Sequence, residues 1–104
     1  MLINFNATLK TLDGNAFKEG DKDVFLKSIC VNALYAPEMN GQMPKQLTGE
    51  EHMQRHNLAS KIYKSDGPID VKVEDVAFIK TLISKNYVSS VVGPAFELLE
   101  GKTV

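Results

Sequence analysis

The sequence predicts an α+β fold, an N-terminal β-hairpin packed against about four α-helices. Three observations carry that expectation. Residues Leu2 to Leu9 alternate apolar and polar side chains with the period of two of a half-buried strand. Residues 24–36, VFLKSICVNALYA, form an apolar stretch interrupted only by Lys27, Ser28 and Asn32. Three later segments repeat apolar residues at intervals of three and four after clear helix-start signals.

Along the chain, Ile3, Phe5, Ala7 and Leu9 share one face of the first strand and Asn4, Asn6, Thr8 and Lys10 the other. Asp13-Gly14-Asn15 suits a tight turn, because glycine after aspartate tolerates positive φ. Ala16-Phe17-Lys18 then returns as the second strand. Residues 69–72 alternate again, so they can add a third strand to this small sheet.

The central helix is expected near residues 22–36, with Asp21 as N-cap, Asp23 in the first turn, and Pro37 forbidding continuation. Leu26, Ile29, Cys30, Ala33 and Leu34 form its stripe, and its apolar circumference predicts cover on most sides. Residues 38–47, EMNGQMPKQL, read as an exposed loop of about ten residues, longer than the usual connection of about 4–6. Thr48-Gly49-Glu50-Glu51 is a capping box for a helix over residues 49–64, with Met53, His56, Ala59, Ile62 and Tyr63 facing inward. A third helix spans about residues 73–86, with Val76, Ile79, Leu82 and Ile83 inward. The last, VVGPAFELLE, keeps Pro94 in its first turn and stops at Gly101.

Length and composition bound the rest. At 104 residues and 11.5 kDa, the chain has room for one compact domain, residues 1–104, with one core. Hydrophobic residues make up 43% and charged residues 24%, which is globular usage. A net charge of -1, a pI of about 6.1 and a single arginine, Arg55, argue against nucleic acid as a partner. The first residues lack the build of a signal peptide, and no apolar run approaches the roughly 18 residues of a membrane span. The expectation is a soluble intracellular protein with no membrane contact.

The chemistry-bearing residues are few. Cys30 is alone, so no internal disulfide framework exists, and its place mid-helix on the most apolar segment predicts a buried inert thiol. His52 and His56 lie four apart on one helix, but a zinc site wants three or four ligands and the His-Glu-x-x-His order is absent. The acidic pairs Asp21/Asp23, Glu50/Glu51 and Glu74/Asp75 sit at helix starts, where the macrodipole accounts for them. Asp13-Gly14-Asn15 opens like a calcium loop, but Phe17 stands at its fifth position and no glycine at its sixth. No phosphate loop, dinucleotide fingerprint or nucleophile elbow occurs, so no enzyme, metal or cofactor is expected. Asn32, polar inside an apolar helix, either bonds a neighbouring backbone group or marks a face left for a partner. Met39 and Met43 in the 38–47 loop are adaptable contact residues. With His52 and His56 they complete the candidate partner-contact set.

Four stretches, FNATLKTLDGNAF, FLKSICVNALYAP, LTGEEHMQRHNLASKIY and VEDVAFIKTLISKNY followed by VVGPAFELLEG, resemble in their order a group of small bacteriophage and prophage proteins of about this length, largely of uncharacterised function. The matching positions are Lys27, Val31, Asn32, Ala33 and Leu34; Gly49, Glu50 and Glu51; and Val92, Gly93, Ala95, Leu98 and Leu99. These are packing and capping positions, and they bring over no catalytic signature. The resemblance implies a viral protein in the cytoplasm of an infected bacterial cell. The expected role is a non-enzymatic accessory protein that binds a host or phage protein, modulating host replication, transcription or defence. The alternative is a self-associating phage structural or assembly component.

Overall fold

The structure is a computed structural model that describes residues 2–36, 39–40, 43–44 and 46–100. In chain order, β1 (Leu2–Ile3) is followed by β2 (Lys18–Glu19), β3 (Lys22–Asp23) and helix α1 (Leu26–Tyr35). Next come β4 (Met39–Asn40), β5 (Met43–Pro44) and α2 (Gly49–Tyr63), then β6 (Ile69–Asp70), α3 (Val73–Asn86) and α4 (Ser89–Leu99). The α+β class and the four helices are as the sequence predicts.

The N-terminal half is more folded upon itself than one hairpin. The return segment pairs with the first, with Lys10 opposite Ala16 in an isolated bridge. The chain then turns back at once: Gly20, at φ 65°, leads the two-residue loop joining β2 to β3. Three segments therefore meet in a ring of backbone hydrogen bonds. Leu9 N–H donates to Val24 O at 2.9 Å, Val24 N–H to Phe17 O at 2.9 Å, and Phe17 N–H to Leu9 O at 2.8 Å. Leu26 N–H adds a bond to Ala7 O at 2.9 Å. The alternation of the first segment holds, with Ile3, Phe5 and Leu9 buried and Ala7 half-buried. The late strand pairs antiparallel with β1, Leu2 opposite Asp70 and Ile3 opposite Ile69. It thus joins the first segment of the N-terminal hairpin as expected, through a two-stranded ladder at that segment's start.

This second turn corrects the start of α1. Residues 22–25 spend their backbone groups on ladder bonds, so the helix begins at Leu26, with Phe25 at the N-cap and no side-chain cap. Asp23 pairs with Lys18 across β2 and β3, and neither Asp21 nor Asp23 caps the helix. Helix α1 packs on α2, α3 and α4, burying Leu26, Ile29, Cys30, Ala33 and Leu34 as the stripe predicts. The expected cover fails at its two ends, where Phe25 and Tyr35 are exposed.

Two further corrections concern segments read as irregular or misphased. Met39–Asn40 pair with Met43–Pro44, so part of the expected 38–47 loop is a short antiparallel ladder; the side chain of Met39 lies outside the described residues. Helix α4 starts at Ser89, two residues before the expected position, which puts Pro94 in the helix interior. Proline has no N–H to give the carbonyl four residues back, so the helix supplies no i+4 donor to Ser90 O. The expected stop at Gly101 lies outside the described residues.

The capping box of α2 forms as written. Glu51 N–H donates to Thr48 Oγ1 and Thr48 N–H to Glu51 Oε1, both at 3.1 Å. At the other end, Lys27 Nζ of α1 donates to Ser65 O at 2.8 Å and Asn6 Nδ2 to the same oxygen at 3.2 Å. A cation at the C-terminal end of a helix is favoured by its dipole, so Lys27 ties α1 to the end of α2.

Candidate functional site

Helix α2 carries more apolar and aromatic side chains than one stripe can hold, and that surplus defines the site. Its buried positions are Arg55, Leu58, Ala59 and Ile62, with the Arg55 guanidinium 5.4 Å from the centroid of the Phe78 ring. Of the expected inner set, Ala59 and Ile62 are buried as read and the other three are not. Met53, His56 and Tyr63 face out, with Met53 55% and Tyr63 67% exposed. The physical reason lies in Arg55. Its aliphatic stem packs like a long apolar side chain and its flat head lies on an aromatic ring, so the helix rotates to bury the 55–58–62 stripe.

The outward stripe of α2 meets the exposed end of α1. Val31 and Tyr35 of α1, with His56, Ala59, Ser60 and Tyr63 of α2, line a groove of about 290 Å³. The Tyr35 hydroxyl lies 3.0 Å from His56 Nδ1, within hydrogen-bond reach, and the two rings stack with centroids 6.2 Å apart at 27°. Two tyrosines and a histidine with polar ends in water and apolar bodies in a groove offer large contact area at small entropy cost.

The sequence candidates do not converge on one spot. His56 lies in the groove, and His52 is exposed one turn earlier on α2. Met43 is exposed on β5. Asn32 is exposed on another flank of α1, and its amide bonds the Tyr87 side chain. Burial pushes the Tyr87 hydroxyl up, and the bond from Asn32 opposes the shift. Tyr35 and Tyr63 were absent from the expected contact set. The signal for them was present as a surplus: α2 offers two apolar stripes, and a small core can cover only one.

Cys30 is fully buried, as expected of an inert thiol, and burial pushes its thiol far above its ordinary value of 9.0. A raised folded value means that its contribution to stability is complete below pH 9 and fades as pH rises toward the folded value, because the unfolded chain ionises first. Unfolding midpoints measured between about pH 8 and pH 10 should fall for the wild type. A Cys30→Ala variant should show a shallower fall, with Tyr87 supplying what remains; identical slopes would contradict the assignment.

Among the described residues, no group of three or more His, Cys, Asp or Glu side chains could hold a metal ion. Among them also, no helix is long and apolar enough to cross a membrane. No protein-family model matches the chain, and no curated protein and no solved structure is significantly similar to it.

Proposed function

We propose that this chain is a non-enzymatic accessory protein of phage or prophage origin that acts by binding another protein, from the host or the phage. The observation that carries the reading is the uncovered stripe of α2. Met53, His56 and Tyr63 are spaced as a helix spaces a contact face, and all three are exposed, with the Tyr35 ring stacked on His56. Tyr35 and His56 frame a groove of about 290 Å³, room for an apolar side chain of a partner. Exposed aromatic residues over a preformed hollow are the usual anchors of protein interfaces. The order of the motifs, similar to that of small phage proteins, supplies the setting of an infected cell.

The test is capture of a partner from bacterial lysate, followed by affinity measurement on the isolated pair. Tyr35→Ala with Tyr63→Ser should weaken binding at least about tenfold while leaving the fold intact, since both side chains are exposed. Unchanged affinity in that variant would exclude this face. A second reading, a self-associating assembly component, draws on a different surface, the groove between the Leu12 turn and α4.

A further inference from the structure

Away from the α2 stripe, the N-terminal turns and α4 enclose a broad groove of about 1330 Å³. One wall carries Lys10, Leu12 and Asp13, and the other carries Ser90, Pro94 and Glu97. Leu12 is the most exposed large apolar residue described, at 110% of its reference area. Nothing in the turn calls for an apolar side chain there. The backbone is held independently of it: Gly14, at φ 86°, donates to Thr11 O at 3.0 Å, and Thr11 N–H donates to Asn15 O at 2.8 Å. The Thr11 hydroxyl and the Asn15 amide both bond the Asp13 carboxylate. A stitched turn therefore holds a leucine out into water beside an apolar hollow.

We propose that the chain forms a two-fold dimer in which Leu12 of each copy enters the groove of the other. A two-fold interface demands a patch complementary to itself, and this face carries both halves: a knob and a hollow. Leu2 and Val88, both exposed, flank the same region, one lining the groove and the other next to its Ser89 wall. One pair of opposite charges crosses between the copies as well. Lys10 stands on the wall that travels with Leu12, and Glu97 stands on the α4 wall that receives it. In the dimer, Lys10 of one copy meets Glu97 of the other, twice by symmetry. The near-neutral charge of -1 puts little repulsion between copies. Because the turn is already rigid, docking Leu12 costs little ordering entropy. No residue of the α2 groove lines this one, so the dimer and hetero-partner binding are tested separately.

Sedimentation equilibrium decides the matter. The wild type should rise with concentration from 11.5 kDa toward twice that mass. L12E should remain at the single-chain mass with an unchanged far-UV circular dichroism spectrum, because the side chain supports no folded contact. K10E and E97K should each associate at least about tenfold more weakly than the wild type. An equimolar mixture of the two should recover dimers, since each crossing pair then joins opposite charges. A pair within one chain could not give that recovery. A wild type that stays single up to roughly 1 mM, masses beyond two copies, a dimeric L12E, or a mixture that fails to recover would each overturn the proposal.

Discussion

Phe5→Ala is expected to destabilise the fold by about 3–5 kcal/mol, the range for truncating a fully buried phenylalanine. Phe5 is the largest of the fully buried side chains. It also sits where two parts of the fold join. Its carbonyl accepts the Lys27 amide at 2.8 Å in the first turn of α1, so a collapse of the side-chain site would disturb that backbone junction. Set against a total stability of about 5–15 kcal/mol for an ordinary domain, the loss is a large share of what holds the chain folded. Urea denaturation should show a much lower midpoint with a similar slope. Val73→Ala provides the contrast, because that equally apolar side chain is 63% exposed at the start of α3. It should change stability by no more than about 0.5 kcal/mol. A Phe5→Ala midpoint as close to wild type as that of Val73→Ala would disprove the placement of Phe5 in the core.

The second expectation concerns the tie between α1 and the end of α2. Lys27→Met keeps an apolar stem but removes the charge-assisted bond to Ser65 O. Such bonds contribute about 1.5–3 kcal/mol when well shielded, and Lys27 is only half-buried, so about 1–2 kcal/mol is expected here. Asn6→Ala alone should cost less, because the Lys27 ammonium remains on the same oxygen. The double variant should lose more than the two single losses added. Ser65 is buried, and removing the second donor leaves its carbonyl without either side-chain partner. A strictly additive cycle would mean that the two donors act independently.

How far the sequence spoke varies with the kind of signal. The capping box at Thr48–Glu51 is local chemistry between residues three apart, and it forms as read. The stripe of α3 was legible because its apolar residues choose one face without a rival, and that of α1 because its most regular repeat, Leu26 to Leu34, is the face that is buried. Residues 69–70 were recognisable as a strand added to the N-terminal hairpin, but the register, Leu2 opposite Asp70, was not, since it is decided by the way the whole chain closes. The start of α1 was misread because Gly20 looked like a simple breaker, whereas its positive φ makes a second turn that claims Lys22 to Phe25. In α2, two apolar stripes competed, and periodicity alone had no means of choosing. The stacking of Arg55 on Phe78, a contact across 23 positions of sequence, made the choice and left Tyr63 and His56 outside. The candidate site was thus half visible: His56 as a residue, the groove beside it only as a surplus of apolar spacing.

The ring joining Leu9, Phe17 and Val24 has a bearing on aggregation. An open sheet edge is a template on which other chains can add as strands. At the ring each segment has a neighbour on either side, as every strand of a barrel does, and a third segment of chain is what closes it. A plain hairpin over residues 2–18 would have left two such edges in solution beside the apolar side chains of Ile3, Phe5 and Leu9. The extra turn at Gly20, which delays the first helix by several residues, turns that hazard into a closed collar at this level of the molecule. A chain at high concentration gains from such a collar in resistance to strand addition, whatever it goes on to bind.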